Sequence, residues 1–466
     1  MANRVAATGA KGTSGFARGG GLLSAAGGIL LLLVLTLPKL KEPPPGDPNE
    51  TPKTALLHSR PGVWTASSPL PRSKAGLPAK SPEEVVRDKL TLFVAKRRDL
   101  IHHMAEILKV NLPPEVDRFF DAAQDGRWEE QRAMFEALRA QRADHPELNA
   151  LWGAISESYG VSEAVHDWSA PALLGYGEAI LGSLKPGSVY LGGTDAGRFI
   201  PTLLNETSGG ERFVVLTQNA LADNSYTDYV RFLYAEGINN LEPADADRAF
   251  ADYIADARKR FEHDRDFPNE PKQLRPGEDV QVEANRIQVS GQIAVMSINE
   301  KLTKALMEKN PQLSFALEES FPFQSMYGTA SPLGPILELQ AGSEMNPEAA
   351  DKTVEFWRSA ESELNLNSSG TSAQDSQARS AWAKMALAQA HLLTANNFTP
   401  QAEELFHTAL ELAPSNPEVV MDYVNLLVQN GRGSEAIPVL ENSMRLAPQD
   451  ERFGALLDQL RSIGLR

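Results

Sequence analysis

Two short apolar runs, each ending in small and polar residues, constrain the fold of this chain more than any other feature. The first run is Ser-Val-Tyr-Leu at 188–191, and the second is Val-Val-Leu-Thr at 214–217. Short buried strands have this pattern, and the helix-like segment between the runs predicts one β-α-β unit. Strands that alternate with helices build a sheet covered by helices. We therefore predict an α/β domain over residues 170–342, with a mixed or parallel sheet.

Polar side chains follow both predicted strands where each strand ends. Because ligands of open α/β sheets bind outside the carboxyl ends of the strands, these side chains should share one edge of the sheet, here called the rim. The candidate ligand-binding residues of the rim are Thr194, Asp195, Arg198, Gln218, Asn219, Asp223 and Asn224.

Three glycines near Asp195 leave two interpretations of the first polar cluster open. Gly192, Gly193 and Gly197 would let the backbone approach a phosphate or a sugar, with Arg198 as the cation for an anionic group. Alternatively, the glycines form the turn into the next helix, and Arg198 pairs with Asp195. The spacing is not Gly-x-Gly-x-x-Gly, which argues against a nicotinamide cofactor.

The polar cluster at 218–224 and an acidic pair are also open to two interpretations. The cluster suits hydrogen bonding to a hydroxylated ligand, but the same residue types cap helices. Glu318 and Glu319 are adjacent on a predicted strand at 313–319. They should face opposite ways, so they do not form an acid and base pair, although one of them is a candidate partner for Arg198.

No sequence pattern supports catalysis or metal binding. The chain has no cysteine, which excludes disulfides, thiolate metal sites and thiol catalysis. Its eight histidines are scattered, and the adjacent His102 and His103 would point about 100° apart on a helix. A phosphate loop, a Ser-His-Asp arrangement and a His-x-x-x-His helix are all missing from the sequence. We predict no catalytic residue, no metal and no cofactor.

The charge balance argues against a nucleic acid partner. Asp and Glu number 61 against 45 Lys and Arg, a net charge of −16. Binding to a phosphate backbone depends on an excess of positive charge, which this chain lacks.

An apolar run at 21–38 predicts a membrane anchor. The run is close to the lower limit of about 17 to 25 residues for a membrane-spanning helix. Bulky and basic residues follow it where a cleavage site would need small ones, which favours an uncleaved anchor over a signal peptide. Arg4, Lys11 and Arg18 precede the run, so the N-terminus should be cytoplasmic. We expect a single-pass protein of the inner membrane with its bulk on the periplasmic side.

Changes in composition divide the chain into six segments. Prolines dominate residues 39–80, which is typical of a semi-extended tether. Ser81, Pro82 and Glu84 then form a strong helix start. The predicted segments are a cytoplasmic N-terminus at 1–20, a transmembrane anchor at 21–38, a tether at 39–80, a helical segment at 81–169, the α/β domain at 170–342 and a repeat region at 343–466.

The C-terminal segment contains an internal repeat. Ala402, Phe406, Ala409, Leu412 and Pro414 recur 34 residues later as Ala436, Leu440, Ser443, Leu446 and Pro448. The period and positions identify a tetratricopeptide repeat, with Gly431 at the turn inside the second unit and Asn397 at the same place in the first. Two units cannot bury a solenoid core alone, so helices at 346–364 and 452–463 are expected to cap them.

In tetratricopeptide repeats the first helix of each unit lines a concave face that binds protein or peptide partners. The corresponding candidate groove residues are Lys384, Leu387, His391, Thr394, Met421, Asn425 and Val428. Four repeat positions, Ala402, Ala409, Ala436 and Leu446, are expected to pack between helices.

The α/β segment also resembles part of a known group of bacterial proteins. The similarity rests on Gly-Thr-Asp-Ala-Gly-Arg-Phe-Ile-Pro at 193–201, on the run at 214–224 and on Glu-Glu-Ser-Phe-Pro at 318–322. These resemble the extracytoplasmic region of uncharacterised membrane proteins that look like lipid-linked-sugar glycosyltransferases. The multi-span part of that family has no counterpart in this chain.

Two functions follow from these features. The first is a membrane-anchored, extracytoplasmic scaffold that binds protein partners through the repeat groove. The alternative is a protein that binds or processes a glycan or a lipid-linked sugar beside a membrane glycosyltransferase. An open pocket at the rim would favour the alternative, whereas rim side chains that bond among themselves would favour the scaffold.

Overall fold

The computed structural model of the chain describes residues 80–462, apart from 143, 211, 236, 276, 284–285, 341–344 and 364–372. The predicted cytoplasmic segment, the predicted membrane span and the tether up to residue 79 lie outside the described residues. Within the described part of the chain, no helix is long and apolar enough to cross a bilayer. This part is mostly helical and contains a small mixed sheet.

Five helices precede the first strand. They are α1 (Pro82–Leu108), α2 (Pro114–Gln124), α3 (Trp128–Gln141), α4 (Pro146–Asp167) and α5 (Ala170–Ser183). The predicted start of α1 is confirmed, because Ser81 Oγ accepts the Glu84 N–H and the Glu84 carboxylate accepts the Ser81 N–H. This reciprocal capping satisfies two N–H groups that a helix start otherwise leaves without partners.

The central sheet has five strands in the order β2-β1-β5-β7-β6. The strands are β1 (Val189–Gly192), β2 (Val214–Thr217), β5 (Phe315–Glu318), β6 (Ser331–Leu333) and β7 (Ile336–Leu339). β1 runs parallel to β2 and to β5, which confirms the predicted β-α-β unit. β7 and β6 are antiparallel to their neighbours, so the sheet is mixed. A two-residue turn, Gly334 and Pro335, joins β6 to β7.

Both faces of the sheet are buried. Even-numbered residues of β1 and β5, such as Tyr190 and Ala316, pack into a core shared with α5, the helix at 195–206 and the C-terminal helices. Odd-numbered residues of the same strands, such as Leu191 and Leu317, pack into a second core with the helices at 243–266 and 292–309. Parallel strands covered on both sides carry continuous apolar runs, and β1, β2 and β5 are accordingly apolar up to their last residue.

The outer edge of β2 is closed by two tyrosines. The N–H of Val215 donates to the Tyr234 hydroxyl at 3.3 Å, and the N–H of Thr217 donates to the Tyr226 hydroxyl at 2.7 Å. These N–H groups point away from β1 and would otherwise be free to pair with another strand. The tyrosines therefore protect this edge from strand addition.

The remaining elements of the middle segment are four helices and a hairpin. They are α6 (Asp195–Glu206), α7 (Asn224–Leu233), α8 (Pro243–Asp266), β3 (Asp279–Glu283), β4 (Arg286–Ser290) and α9 (Gln292–Lys309). A 3₁₀ helix, Gln324–Thr329, follows β5. β4 pairs with β3 alone, and the two strands form a separate two-stranded sheet.

Six helices complete the described chain. They are α10 (Pro347–Glu363), α11 (Ala373–Ala395), α12 (Thr399–Leu412), α13 (Pro417–Gln429), α14 (Gly433–Leu446) and α15 (Glu451–Ser462). α11 with α12 and α13 with α14 form the two predicted repeat units. Asn397 has a φ of 64° and Gly431 a φ of 73°. The asparagine thus adopts the left-handed conformation that glycine supplies in the second unit, which asparagine tolerates better than most residues.

The observed burial of the repeat positions agrees with the prediction at three of the four residues. Ala402, Ala409 and Ala436 are fully buried, but Leu446 is 50% exposed. Leu412, the corresponding residue of the first unit, is 3% exposed. Leu412 has a complete second unit packed beyond it, whereas α14 is followed by α15 alone in the described residues. The prediction that Leu446 packs between helices was therefore wrong.

Candidate functional site

The rim lies where three parallel strands end side by side. Gly192 at the end of β1 is opposite Thr217 on β2 and Glu318 on β5. The residues that follow parallel strands emerge at one edge of a sheet. Thr194 and Gln218 lie at this edge, and the carboxylate of Glu318 lies between the strand ends and the start of α6.

Glu318 is bound by the first turn of α6. Its Oε2 accepts the backbone N–H groups of Gly193 and Thr194, both at 2.8 Å, and its Oε1 accepts the Thr194 hydroxyl at 2.8 Å. Thr194 also caps the helix, because its Oγ1 accepts the Gly197 N–H at 3.0 Å. The two backbone N–H groups just before α6 are therefore bound to a carboxylate of the chain itself.

The rim glycines are required by this close packing. A Cβ at Gly197 would lie 1.9 Å from Glu318 Oε2, and a Cβ at Gly193 would lie 2.3 Å from the Ser320 nitrogen. A Cβ at Gly192 would lie 2.5 Å from the Gly197 carbonyl oxygen. The structure therefore shows the glycines forming the strand-to-helix turn, which is one of the two interpretations of the sequence. The groups that lie against the backbone of these glycines belong to the chain itself.

Three further polar groups surround the Glu318 carboxylate. The fully buried Tyr176 hydroxyl lies beside Thr194 and Glu318, and the Tyr190 hydroxyl donates to the Gly197 carbonyl at 2.6 Å. The Lys384 ammonium, on α11, is close enough to lower the pKa of Glu318. Burial raises the pKa of Glu318, and its three hydrogen-bond donors and Lys384 oppose that rise.

Gln218 is fully buried and joins two loops of the rim. Its Oε1 accepts both the N–H and the hydroxyl of Ser320 at 2.9 Å, and its Nε2 donates to the Phe321 carbonyl at 2.9 Å. The amide group thus has its partners within the chain. Its polar atoms serve to hold the loop after β5 against the end of β2.

The other members of the second polar cluster do not join Gln218 in a pocket. Asp223 caps α7, since its Oδ1 accepts the N–H of Ser225 at 2.8 Å, and its other oxygen lies 3.6 Å from Arg142. Asn219 and Asn224 are exposed. Asp223 therefore has the helix-capping role, which is one of the two interpretations of this cluster.

Arg198 and Asp195 do not form the ion pair considered from the sequence. Within the described part of the chain, no carboxylate lies within 4 Å of Arg198, so neither Asp195 nor an acid of the Glu318 pair is its partner. The guanidinium lies over its neighbour's ring, 4.3 Å from the centroid of Phe199. Asp195 occupies the first turn of α6 and is exposed. The sequence could not show that Thr194, rather than Arg198, would bind the acidic residue.

Glu319 faces away from Glu318 and holds a different loop. Its Oε1 accepts the Phe323 N–H at 2.8 Å, and its Oε2 accepts the Tyr327 hydroxyl at 2.7 Å. Burial raises the pKa of Glu319 to about 7, while these donors and the nearby His391 act in the opposite direction. The two adjacent carboxylates therefore have separate structural partners.

The repeat groove is formed by helices spaced 34 residues apart. Lys384 and His391 on α11 are partly exposed, but Leu387 is only 3% exposed. On α13, Met421 is 37% exposed and Asn425 is exposed. The two remaining candidates are Thr394, which is exposed, and Val428, which is half-buried.

Two ion pairs cross the groove between neighbouring helices. Lys384 lies 3.4 Å from Glu418, and His391 Nε2 lies 2.8 Å from Asp422. Neither acid is among the groove residues predicted from the sequence. Glu418 stands 34 residues after Lys384, so the repeat period alone could have placed it beside Lys384. The exposed groove candidates that take part in neither pair are Thr394, Met421 and Asn425.

The described residues hold no group of three or more His, Cys, Asp or Glu side chains that could bind a metal ion. The Glu318 carboxylate and the Gln218 amide of the rim both bond within the chain.

Comparison with known proteins adds one finding. Residues 393–460 match the tetratricopeptide repeat family. No curated protein and no solved structure matches the chain, so the resemblance of the α/β segment to glycosyltransferase-like membrane proteins has no support beyond its short motifs. The matched residues cover α12, α13, α14 and most of α15, and the C-terminal region of this chain is a tetratricopeptide-repeat array.

Proposed function

We propose that this protein is a scaffold that binds a protein partner through the concave face of its repeats. The observation that carries the proposal is the open strip on α13, where Met421 is 37% exposed and Asn425 projects beside it. A repeat array presents such a strip for recognition, since its packing residues lie between the helices and not on this face.

The chemistry of the strip suits an extended, uncharged peptide segment. Lys384 and Glu418 neutralise each other, and His391 contacts Asp422. The groove therefore offers an apolar contact at Met421 and an amide at Asn425 that can pair with a peptide backbone. Neither a nucleic acid nor a strongly acidic peptide would find unpaired positive charge here.

The proposal includes a single N-terminal span in the inner membrane, with the repeats on the periplasmic side. Its support is the apolar run at 21–38 and the basic residues before it. The full-length protein should stay in the membrane fraction after carbonate washing, with its C-terminal region open to protease in spheroplasts. Release by carbonate, or a mature N-terminus after residue 40, would contradict the anchor.

The groove is tested by replacing the two exposed residues on α13, Met421 and Asn425. Met421→Ala with Asn425→Ala should keep the helical circular dichroism but reduce the amount of partner that co-purifies from detergent-solubilised membranes. Lys384 is left unchanged because it pairs with Glu418 and lies close to Glu318. The readout is quantitative mass spectrometry of the captured proteins.

A matched control lies on the second helices of the repeats. His407→Ala with Glu411→Ala alters two exposed residues of α12, and this variant should retain every partner. If the groove variant also retained all of them, the concave face would not be the binding surface.

The alternative, binding or processing of a glycan or lipid-linked sugar, gains nothing from the rim. The condition that favours it is an open pocket lined by Thr194, Asp195, Arg198 and Asn219. Thr194 instead bonds to Glu318, and Asn219 and Asp195 are exposed. Hydrogen bonds within the chain at the rim therefore favour the scaffold.

A further inference from the structure

The β3–β4 hairpin has one open edge. Its residue pairs run without interruption from Asp279 opposite Ser290 to Glu283 opposite Arg286, so the ladder contains no bulge. The helices α8 and α9 pack against β4. Among the described residues, no third strand pairs with β3. The outer side of β3 is therefore the edge of a regular antiparallel ladder.

The outer side of β3 also lacks the groups that close the other sheet edges of this chain. On β2, the hydroxyls of Tyr226 and Tyr234 accept the outward N–H groups. At the opposite edge of the central sheet, β6 contains Pro332, which has no N–H. On β3, no side chain of the described residues bonds to the backbone of Val280 or Gln281. The N–H and C=O groups that point away from β4 are thus available to another strand.

The hairpin is held firmly enough to act as a template. Val280 and Ile287 pack against the second core, and Val289 is buried in it. Asp279 and Gln281 lie on the other face and are exposed. A two-stranded hairpin alone is marginally stable in water, whereas packing against helices or a third strand stabilises it. The helices supply the first of these here, and a strand added beside β3 would supply the second.

The charges of β3 determine which strand fits. The sequence at 279–283 is Asp-Val-Gln-Val-Glu, with an acid at each end and no basic residue. A second copy that paired its own β3 antiparallel about Gln281 would place Asp279 of one copy opposite Glu283 of the other, at both ends. Like charges directly opposite each other destabilise a ladder. A strand with basic residues at these ends and β-branched residues between them would instead pair opposite charges.

We propose that the outer edge of β3 binds an extended segment of a partner protein by strand addition. The segment runs antiparallel to β3 and carries Lys or Arg opposite Asp279. Hydrogen bonds between the two main chains provide the affinity, and the charge pairing selects the partner. This inference does not depend on the repeat groove, because the surface belongs to the hairpin and not to the repeat helices.

A labelled peptide tests strand addition directly. The probe is Thr-Lys-Val-Thr-Val-Lys-Thr-amide with fluorescein at its N-terminus, and fluorescence anisotropy measures its binding to the purified full-length protein in detergent. Two further versions carry N-methyl groups on alternate residues, one on the odd-numbered and one on the even-numbered positions. Only alternate N–H groups of an added strand face its neighbour. One methylated version should therefore bind at least about tenfold more weakly than the probe, and the other within about threefold of it.

Charge reversal at the edge tests the choice of partner. Asp279 is opposite Ser290, so no charge directly across on β4 offsets it. Asp279→Lys should bind the lysine peptide about threefold more weakly than the parent does, and should bind a peptide with Glu in place of both lysines more tightly. Asp252→Lys makes the same change of net charge at an exposed position of α8. This control should bind both peptides as the parent does, and both variants should keep the parent's melting temperature.

Several outcomes would overturn the proposal. The first is that the parent shows no saturable binding of the lysine peptide, and the second is that both methylated versions lose binding equally. Equal affinities of Asp279→Lys and Asp252→Lys for the lysine peptide would also overturn it. Sedimentation velocity tests the other occupant of the edge, a second copy. A dimer whose dissociation constant changes in Asp279→Lys but not in Asp252→Lys would assign the edge to self-association instead.

Discussion

The indole Nε1–H of Trp357 donates to Oε1 of Gln389 at 2.7 Å, joining α10 to the first helix of the repeats. The Nε2 group of Gln389 donates to the carbonyls of Gly334 and Ile336, both at 2.8 Å. Gln389 is fully buried, and this single amide connects α10, α11 and the start of β7. The repeat array is thereby capped by the sheet as well as by helices.

Replacing Gln389 should therefore weaken the whole fold. Gln389→Leu keeps the volume but leaves one indole N–H and two carbonyls without partners, and the expected loss is at least about 2 kcal/mol. Urea unfolding followed by circular dichroism measures it. Gln377→Leu, an exposed position of the same helix, is the control and should stay within about 0.5 kcal/mol of the parent. Equal losses for both variants would contradict the assigned role.

A second prediction concerns Arg97, which is buried between two carboxylates. Its Nε lies 2.6 Å from Glu157 and its Nη1 lies 3.2 Å from Glu206, and the side chain is 3% exposed. Arg97→Met would leave both acids without this cation in the interior, which costs roughly 3–5 kcal/mol. The free energy of unfolding in urea measures this loss.

The neighbouring residue provides the control for Arg97. Arg98 pairs with Asp117 and Asp121, and its side chain is 30% exposed. Exposed pairs contribute little, so Arg98→Met should cost at most about 1 kcal/mol. A loss for Arg97→Met as small as that for Arg98→Met would show that the buried network does not stabilise the fold.

A third prediction concerns pH. Burial raises the pKa of Glu319 to about 7 from an ordinary value of 4.5. Between these pH values the folded protein binds more protons than the unfolded chain, so this group makes stability fall as pH rises from about 4.5 to about 7. The slope from one such group is at most about 1.4 kcal/mol per pH unit.

Glu319→Gln tests the pH effect because its amide resembles the protonated acid. The stability difference between the variant and the parent should change across this pH window, with the variant gaining relative to the parent as pH rises. Thermal unfolding at half-unit pH steps measures the difference. A constant difference from pH 4.5 to pH 7.5 would exclude Glu319 as a titrating group in this range.

The last prediction compares two residues of one helix turn. Arg198 has no carboxylate partner among the described residues and contacts Phe199, so Arg198→Ala should cost at most about 1 kcal/mol. Thr194→Val removes both the helix cap and a donor to Glu318, and should cost about 2 kcal/mol or more. Thermal unfolding of the two variants measures both losses of stability. A larger loss for Arg198→Ala than for Thr194→Val would show that Arg198, and not Thr194, stabilises this turn.

The sequence by itself determined the elements whose formation depends only on residues that are close together in the chain. The runs at 188–191 and 214–217 predicted two strands around a helix, because a buried strand is apolar on both faces and ends where polar residues begin. The 34-residue period predicted the repeat units, because each unit packs against the next in the same way. The start of α1 followed from Ser81 and Glu84, which bond to each other across three residues.

Tertiary structure decided which groups meet across long separations. Glu318 lies 124 residues from Thr194, and nothing in the spacing shows that this acid, rather than an external anion, binds the start of α6. Gln389 lies 53 residues from Ile336, and its amide has no local pattern at all. Leu446 repeats Leu412 in sequence but not in burial, because burial depends on what packs beyond each helix. Such contacts depend on how the sheet and the repeats pack together, and periodicity within one element carries no information about that packing.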